Sequence, residues 1–280
     1  MTAYFRPATL DEALAIRAAR EVEIIAGGTD VYPNKTTRAG WGRMAHKDVL
    51  DVTAVPGLRR IEEVDAHWRI GALVTWTDVI RAGLPPLFDG LVAAAREIGG
   101  QQIQNRGTLV GNLCTASPAG DGIPNLVALD AEVEIAGPAA RRLPLRQFIT
   151  GVRRTALAPG ELVVAIHVPR PRHDAESAFL KLGARRYLVI SIAMAAATVE
   201  FADGRVAQAR VAVGACSPVA ERLPALEAAL VGAPRNRLAD RVDAAQLAPL
   251  APIDDVRGSA TYRRDAVVTL LRRLLASFAR

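Results

Sequence analysis

Two stretches of this 280-residue chain set glycine among small polar side chains in the way an anion site requires. The first is Ala26-Gly27-Gly28-Thr29-Asp30, entered directly from the apolar run Val22, Ile24, Ile25. Paired glycines let a backbone turn through positive φ and come close to a ligand, and successive exposed N–H groups form a concave nest suited to phosphate. The second runs from Asn105-Arg106-Gly107-Thr108 through Gly111-Asn112, Thr115 and Ser117-Pro118 to Asp121. Its glycines and hydroxyls fit a phosphate and ribose cradle, with Asp121 able to accept from a hydroxyl or a ring N–H. Read singly, the first stretch is equally a tight turn and the second an ordered surface loop. The first lacks Gly-x-Gly-x-x-Gly spacing and no long helix follows it, which disfavours a Rossmann site.

Other chemistry is thin. The only cysteines, Cys114 and Cys216, are far apart, which excludes a disulfide framework, a zinc site of several cysteines, or an iron–sulfur cluster held by this chain alone. His46, His67, His167 and His173 share no metal-ligand spacing, and no nucleophile–base pair stands out. The formal charge is +6, and lysine occurs only at Lys35, Lys47 and Lys181. Residues 257–280 hold six arginines and one acid. Such a tail suits an acidic partner surface or a solvated helix face; no aromatic residues interleave with it as nucleic-acid stacking would want. No apolar run approaches the ~20 residues of a membrane span, and the N-terminus lacks the order of a signal peptide, so the cytoplasm is the expected compartment.

The elements that must position these residues read as α+β. Thr9 and Glu12 form a capping box ahead of a helix carrying Leu10, Ala13, Leu14 and Ile16. Short strands are expected over residues 22–26, 49–52, 68–72, 132–136 and 162–168, with helices near 77–80, 91–98 and 125–130. Residues 101–124 lack periodicity and read as a long, functional loop. Pro169-Arg170-Pro171, followed by Arg172-His173-Asp174, is the expected boundary between residues 1–173 (subdomains of about 1–55 and 56–173) and 174–280. Beyond it, strands over 190–201 and 205–214 flank the turn Ala202-Asp203-Gly204, and helices are expected near 223–231 and 262–278. In the last, Val267, Leu270, Leu271, Leu274, Leu275 and Phe278 form an apolar stripe, with Arg263, Arg264, Arg272 and Arg273 mostly off it.

Five blocks, IIAGGTDVYP, RIGALVTWTDV, QIQNRGTLVGNLCTASPAGDGIPNLVALDAEVEI, FLKLGARR and DDVRGSATYRRDAVVTLLRRLL, give the chain a nearly end-to-end resemblance to the FAD-binding (medium) subunits of the molybdenum hydroxylases, the family of xanthine dehydrogenase and aerobic carbon monoxide dehydrogenase. The resemblance implies a two-lobed FAD-binding domain of the vanillyl-alcohol-oxidase or p-cresol-methylhydroxylase type, followed by a C-terminal α+β domain with an antiparallel sheet and helices. It implies that Ile24, Ile25, Ala26, Gly27, Gly28, Thr29, Asp30 and Val31 wrap the FAD pyrophosphate, and that Thr108, Gly111, Asn112 and Thr115 form the second pyrophosphate loop. Asp121 would lie near the adenosine end and Lys181 near the flavin. A compact ammonium there would favour the reduced anion in a way arginine would not reproduce.

No catalytic side chain beyond the flavin and no metal on this chain are implied. The expected partners are a large subunit with the molybdopterin cofactor and a small one with two [2Fe-2S] clusters, in a hetero-oligomer such as a dimer of heterotrimers. Electrons would leave to NAD, a quinone or oxygen. Two departures stand out: Val110 replaces a usual glycine, and Tyr187-Leu188-Val189 lacks the acid of the xanthine dehydrogenase branch. The cysteine count rules out the extra cluster loop of the 4-hydroxybenzoyl-CoA reductases. The rival readings are a free-standing FAD reductase resembling the enolpyruvyl-UDP-N-acetylglucosamine reductases and a cofactor-free basic docking module.

Overall fold

The computed structural model describes residues 3–35 and 47–279, so His46 lies outside the described residues. The first lobe contains β1 (Tyr4–Phe5), α1 (Leu10–Ala19), β2 (Val22–Ile25), α2 (Val31–Lys35) and β3 (Asp48–Asp51). Its strands are parallel in the order β1-β3-β2. Parallel neighbours need a crossover, and α1 enters with the expected capping box: the Glu12 N–H donates to the Thr9 hydroxyl and the Glu12 carboxylate accepts from the Thr9 N–H. So small a sheet cannot bury itself. It sets Val22, Leu50 and Val52 against Leu73, Leu162 and Val164 of the second lobe.

The second lobe runs through β4 (Ile61–Val64), β5 (His67–Gly71), α3 (Trp76–Arg81), α4 (Asp89–Glu97), α5 (Gln101–Gln104), α6 (Leu109–Thr115) and α7 (Gly122–Ala128). It continues with β6 (Glu132–Ala136), β7 (Arg141–Pro144), α8 (Leu145–Phe148), the hairpin β8 (Ile149–Gly151) and β9 (Arg154–Thr155), and β10 (Leu162–Pro169). Its main sheet is antiparallel, ordered β4-β5-β10-β6-β7. A register shift between Val163 and Ala165 changes the parity of β10. Leu162 and Val164 therefore face the first lobe, while Ile166 and Val168 join Trp76, Phe88, Leu91 and Leu126 under the helices. Residues 101–124 depart from the expected loop, because α5, α6 and the start of α7 occupy much of them. Helices this short complete too few turns to print a period on the sequence.

The shift also leaves His167 on the outer face, 3% exposed, its Nε2 2.6 Å from Glu134 and its ring 4.6 Å from that of His67. Nδ1 has no partner. Burial holds this imidazole below the ordinary histidine range; Arg142 and His67 add to the lowering and Glu134 opposes it. On acidification the unfolded chain then takes up the proton first, so the stability from neutral His167 is complete above the ordinary value of about 6.5 and is lost as pH falls below it. Urea unfolding at pH 7.5 and 5.5 should show a smaller loss for His167→Gln than for the wild type. Equal losses would contradict this.

The C-terminal sheet is antiparallel, ordered β11 (Asp174–Leu182), β12 (Ala193–Ala202), β13 (Arg205–Gly214) and β14 (Glu221–Arg222). Asp203 and Gly204 turn the expected hairpin at φ 50° and 72°. The alanine-rich β12 is buried on both faces. Ala193, Ala195, Ala197 and Val199 face α9 (Pro224–Leu230) and α10 (Ala260–Ala276), while Met194 and Ala196 join the second-lobe core. Small side chains here let helical layers approach closely: a Cβ on Gly90 of α4 would stand 2.9 Å from the Ala178 backbone.

Arg263 corrects the expected helix face. It is 2% exposed and donates to the Ile192 and Ala215 carbonyls and to Asp255. Arg264 and Arg272 donate to the Leu250 and Val242 carbonyls. Several arginines of the basic tail thus satisfy carbonyls that irregular segments leave without ladder partners.

Candidate functional site

The two glycine-bearing stretches meet. Gly27 lies against the backbone of the second, and a Cβ there would stand 1.9 Å from the Arg106 carbonyl oxygen. A Cβ on Gly107 would stand 3.2 Å from the Thr29 hydroxyl. Gly28 has φ +71°, and a Cβ on it would meet the Tyr32 ring at 2.6 Å. Among the described residues, no protein acceptor takes the Gly27, Gly28 or Thr29 amides. A free nest of donors results.

The second stretch is held by the strand end beside it. The Trp76 N–H donates to the Gly107 carbonyl at 3.1 Å, and the Leu109 N–H to the Val74 carbonyl at 3.0 Å. Thr108 then caps α6, its hydroxyl accepting from the Gly111 N–H at 3.0 Å. Val110 is buried inside this helix. The position needs no positive φ, so the missing glycine costs the loop nothing. The Thr115 hydroxyl crosses to Asp30 at 3.3 Å and ties the two stretches together.

Around this junction opens a cleft of about 600 Å³, lined by Ile24, Ala26, Gly27, Gly28, Thr29, Asp30 and Val31 from one side and by Thr108, Gly111, Asn112 and Thr115 from the other. Trp76, Val110, Cys114, Arg153, Leu162 and Val164 are among the other residues of its wall. Arg153 carried no signal in the sequence, being one arginine among many. Cys114 opens on the cleft and is exposed to solvent there.

Ile25, Asp121 and Lys181 do not line the cleft. Ile25 is buried in β2. Asp121 and Lys181, 60 residues apart, form a buried ion pair of 2.6 Å between the second lobe and β11, with both side chains 7% exposed. Asp121 also accepts from the Ser191 hydroxyl at 2.6 Å, and Lys181 donates to the Val189 carbonyl at 3.2 Å. Burial pushes the Asp121 carboxyl up, against the pull of Lys181 and Ser191. Ser191 had no motif to announce it. The Tyr187-Leu188-Val189 segment is held by Arg185, which donates to the Tyr187 and Leu188 carbonyls, and Leu188 adopts φ +51°.

The donor set fits a dinucleotide cofactor such as FAD. The cleft has the volume of a cofactor pocket, a cradle at Gly27 that any Cβ would close, and, on Asn112, a buried Oδ1 without a partner. Among the described residues no group of three or more His, Cys, Asp or Glu could hold a metal, and no helix is long and apolar enough to cross a membrane.

Comparison with known proteins finds relatives over nearly the whole chain. Residues 1–171 match the family model of the FAD binding domain in molybdopterin dehydrogenase, and residues 178–278 match that of the CO dehydrogenase flavoprotein C-terminal domain. The medium subunit of nicotine 6-hydroxylase from Paenarthrobacter nicotinovorans is 32% identical over 97% of this chain and 95% of its own. The carbon monoxide dehydrogenase medium chain of Hydrogenophaga pseudoflava is 28% identical over 99% and 97%. Among solved structures, the reconstituted CO dehydrogenase from Oligotropha carboxidovorans superimposes with a TM-score of 0.88 at 27% identity, covering 100% of this chain and 98% of that one.

Proposed function

The chain belongs to the family of FAD-binding medium subunits of the molybdenum hydroxylases, and from that membership we propose that its cleft holds FAD and serves electron transfer within a multi-subunit oxidoreductase. The observation that carries the proposal is the junction of the two stretches. Gly27 against the Arg106 carbonyl leaves free amides at the wall of a cleft about 600 Å³ in volume. In this reading the amides of Gly27 and Gly28 and the Thr29 hydroxyl take one side of the diphosphate, and the residues from Thr108 to Thr115 take the other. Asp121, Lys181 and Ser191 hold the C-terminal sheet against the second lobe and fix one ammonium at their boundary, toward the flavin end. FAD supplies the two-electron and one-electron redox chemistry that joins iron–sulfur centres to an external acceptor.

The partners proposed are a large molybdopterin-binding subunit and a small subunit with two [2Fe-2S] clusters, assembled as a dimer of heterotrimers. The C-terminal family match argues against a free-standing enolpyruvyl reductase. The test is direct: the purified full-length chain should carry or take up one FAD, read from flavin absorbance and from the mass of the cofactor released on denaturation. A folded chain that neither carries nor takes up FAD would refute the proposal.

A further inference from the structure

A diphosphate brings negative charge into the cleft, and the charged side chains already there do not favour it. Among the described residues, those lining the cleft are Glu23, Asp30 and Arg153, two acids and one base. The backbone nest supplies only partial charges, so among the described residues Arg153 is the one full positive charge lining the cleft.

The fold holds Arg153 there under strain. It sits in the turn of the β8/β9 hairpin at φ +52°, and its N–H donates at 2.8 Å to the carbonyl of Ala116. Ala116 ends α6 at φ +46°. Left-handed backbone at a non-glycine residue persists only where the surroundings over-determine it. Here two such residues bond to each other and fasten the hairpin to the end of the helix that carries Thr108, Asn112 and Thr115. The guanidinium meets Asp30 through a single contact of 3.5 Å, with the two side chains 55% and 49% exposed. An exposed pair with one long contact stabilises little and exchanges readily. Asp30 keeps a donor from Thr115 if the arginine leaves.

We propose that Arg153 is a further cofactor-binding residue, whose guanidinium leaves Asp30 for the diphosphate when FAD enters. This rests on the reading of the cleft as an FAD site. The experiment titrates the apo full-length chain with FAD, following flavin fluorescence at two salt concentrations, for the wild type, Arg153→Gln, Arg153→Lys and Asp30→Asn. Arg153→Gln should weaken binding about ten-fold or more, the scale of one hydrogen bond to a charged group, and lose most of the salt dependence. Arg153→Lys should recover part of the affinity by restoring the charge. Asp30→Asn should bind FAD more tightly than the wild type, because the carboxylate competes with the diphosphate for Arg153. If the pair were only a clasp between hairpin and loop, Asp30→Asn would bind as weakly as Arg153→Gln. That result, or unchanged affinity in Arg153→Gln, overturns the inference while leaving the FAD reading intact. A wild type that takes up no FAD removes both.

Discussion

Gly27→Ala is expected to reduce FAD affinity by about two orders of magnitude or more. The added Cβ would stand 1.9 Å from the Arg106 oxygen and 2.6 Å from its carbonyl carbon, both backbone atoms that no rotamer change can move. The second stretch cannot withdraw cheaply, because its carbonyl at Gly107 and its amide at Leu109 are bonded to Trp76 and Val74. The first stretch must therefore shift, and the nest at Gly27 and Gly28 opens with it. Loss of placement by an ångström at a preorganised site weakens every contact made through it. Overpacking should also cost roughly 1–3 kcal/mol of stability, so a control is needed. Gly204→Ala supplies one: this glycine turns the β12/β13 hairpin at φ +72° with nothing within 4 Å of its Cβ position. It should lose about 1 kcal/mol to backbone strain and leave FAD binding unchanged. Flavin content and affinity of the two variants, measured beside their melting temperatures, separate the site from general stability. Normal FAD affinity in Gly27→Ala would remove the cradle from the argument.

Asp121→Ala should have the second large effect, a destabilisation of about 3–5 kcal/mol, because it leaves the Lys181 ammonium buried without its counter-charge. The melting temperature should fall by on the order of 10 °C. The double variant Asp121→Leu, Lys181→Met should recover much of this, since a buried pair exchanged for apolar side chains of similar size is often neutral. Lys181→Met alone gives the sign of the electrostatics. Burial raises Asp121, and the lysine that opposes the rise is gone. A raised carboxyl stabilises the fold below its ordinary value and loses that contribution as pH rises through the raised one. This variant should therefore gain stability on mild acidification relative to the wild type. Thermal unfolding at pH 5 and pH 8 measures it, and a shift in the opposite direction would show that Lys181 does not neutralise Asp121.

Local chemistry was legible in the residues themselves. Thr9 and Glu12 announced a capping box, Asp203-Gly204 a hairpin, and the leucine stripe of residues 267–278 a buried helix face, because each is written within one or two turns of chain. The glycines of both stretches were legible for the same reason, and the ordered blocks around them carried the family. Residues 101–124 were not, since their helices are too short for periodicity to register. Arg263 was misplaced on the solvent side because its partners, the Ile192 and Ala215 carbonyls, are 71 and 48 residues away.

By itself, then, the sequence determined what each glycine stretch could do, a turn or an anion nest, and which family pattern it belonged to. Only the tertiary structure decided that Gly27 closes on Arg106, that Asp121 spends its charge on Lys181, and that Arg153 stands over Asp30. The physical reason is range. Dihedral preference and capping act between neighbours in the chain, whereas close packing and ion pairing act between whatever the folded backbone brings within a few ångströms.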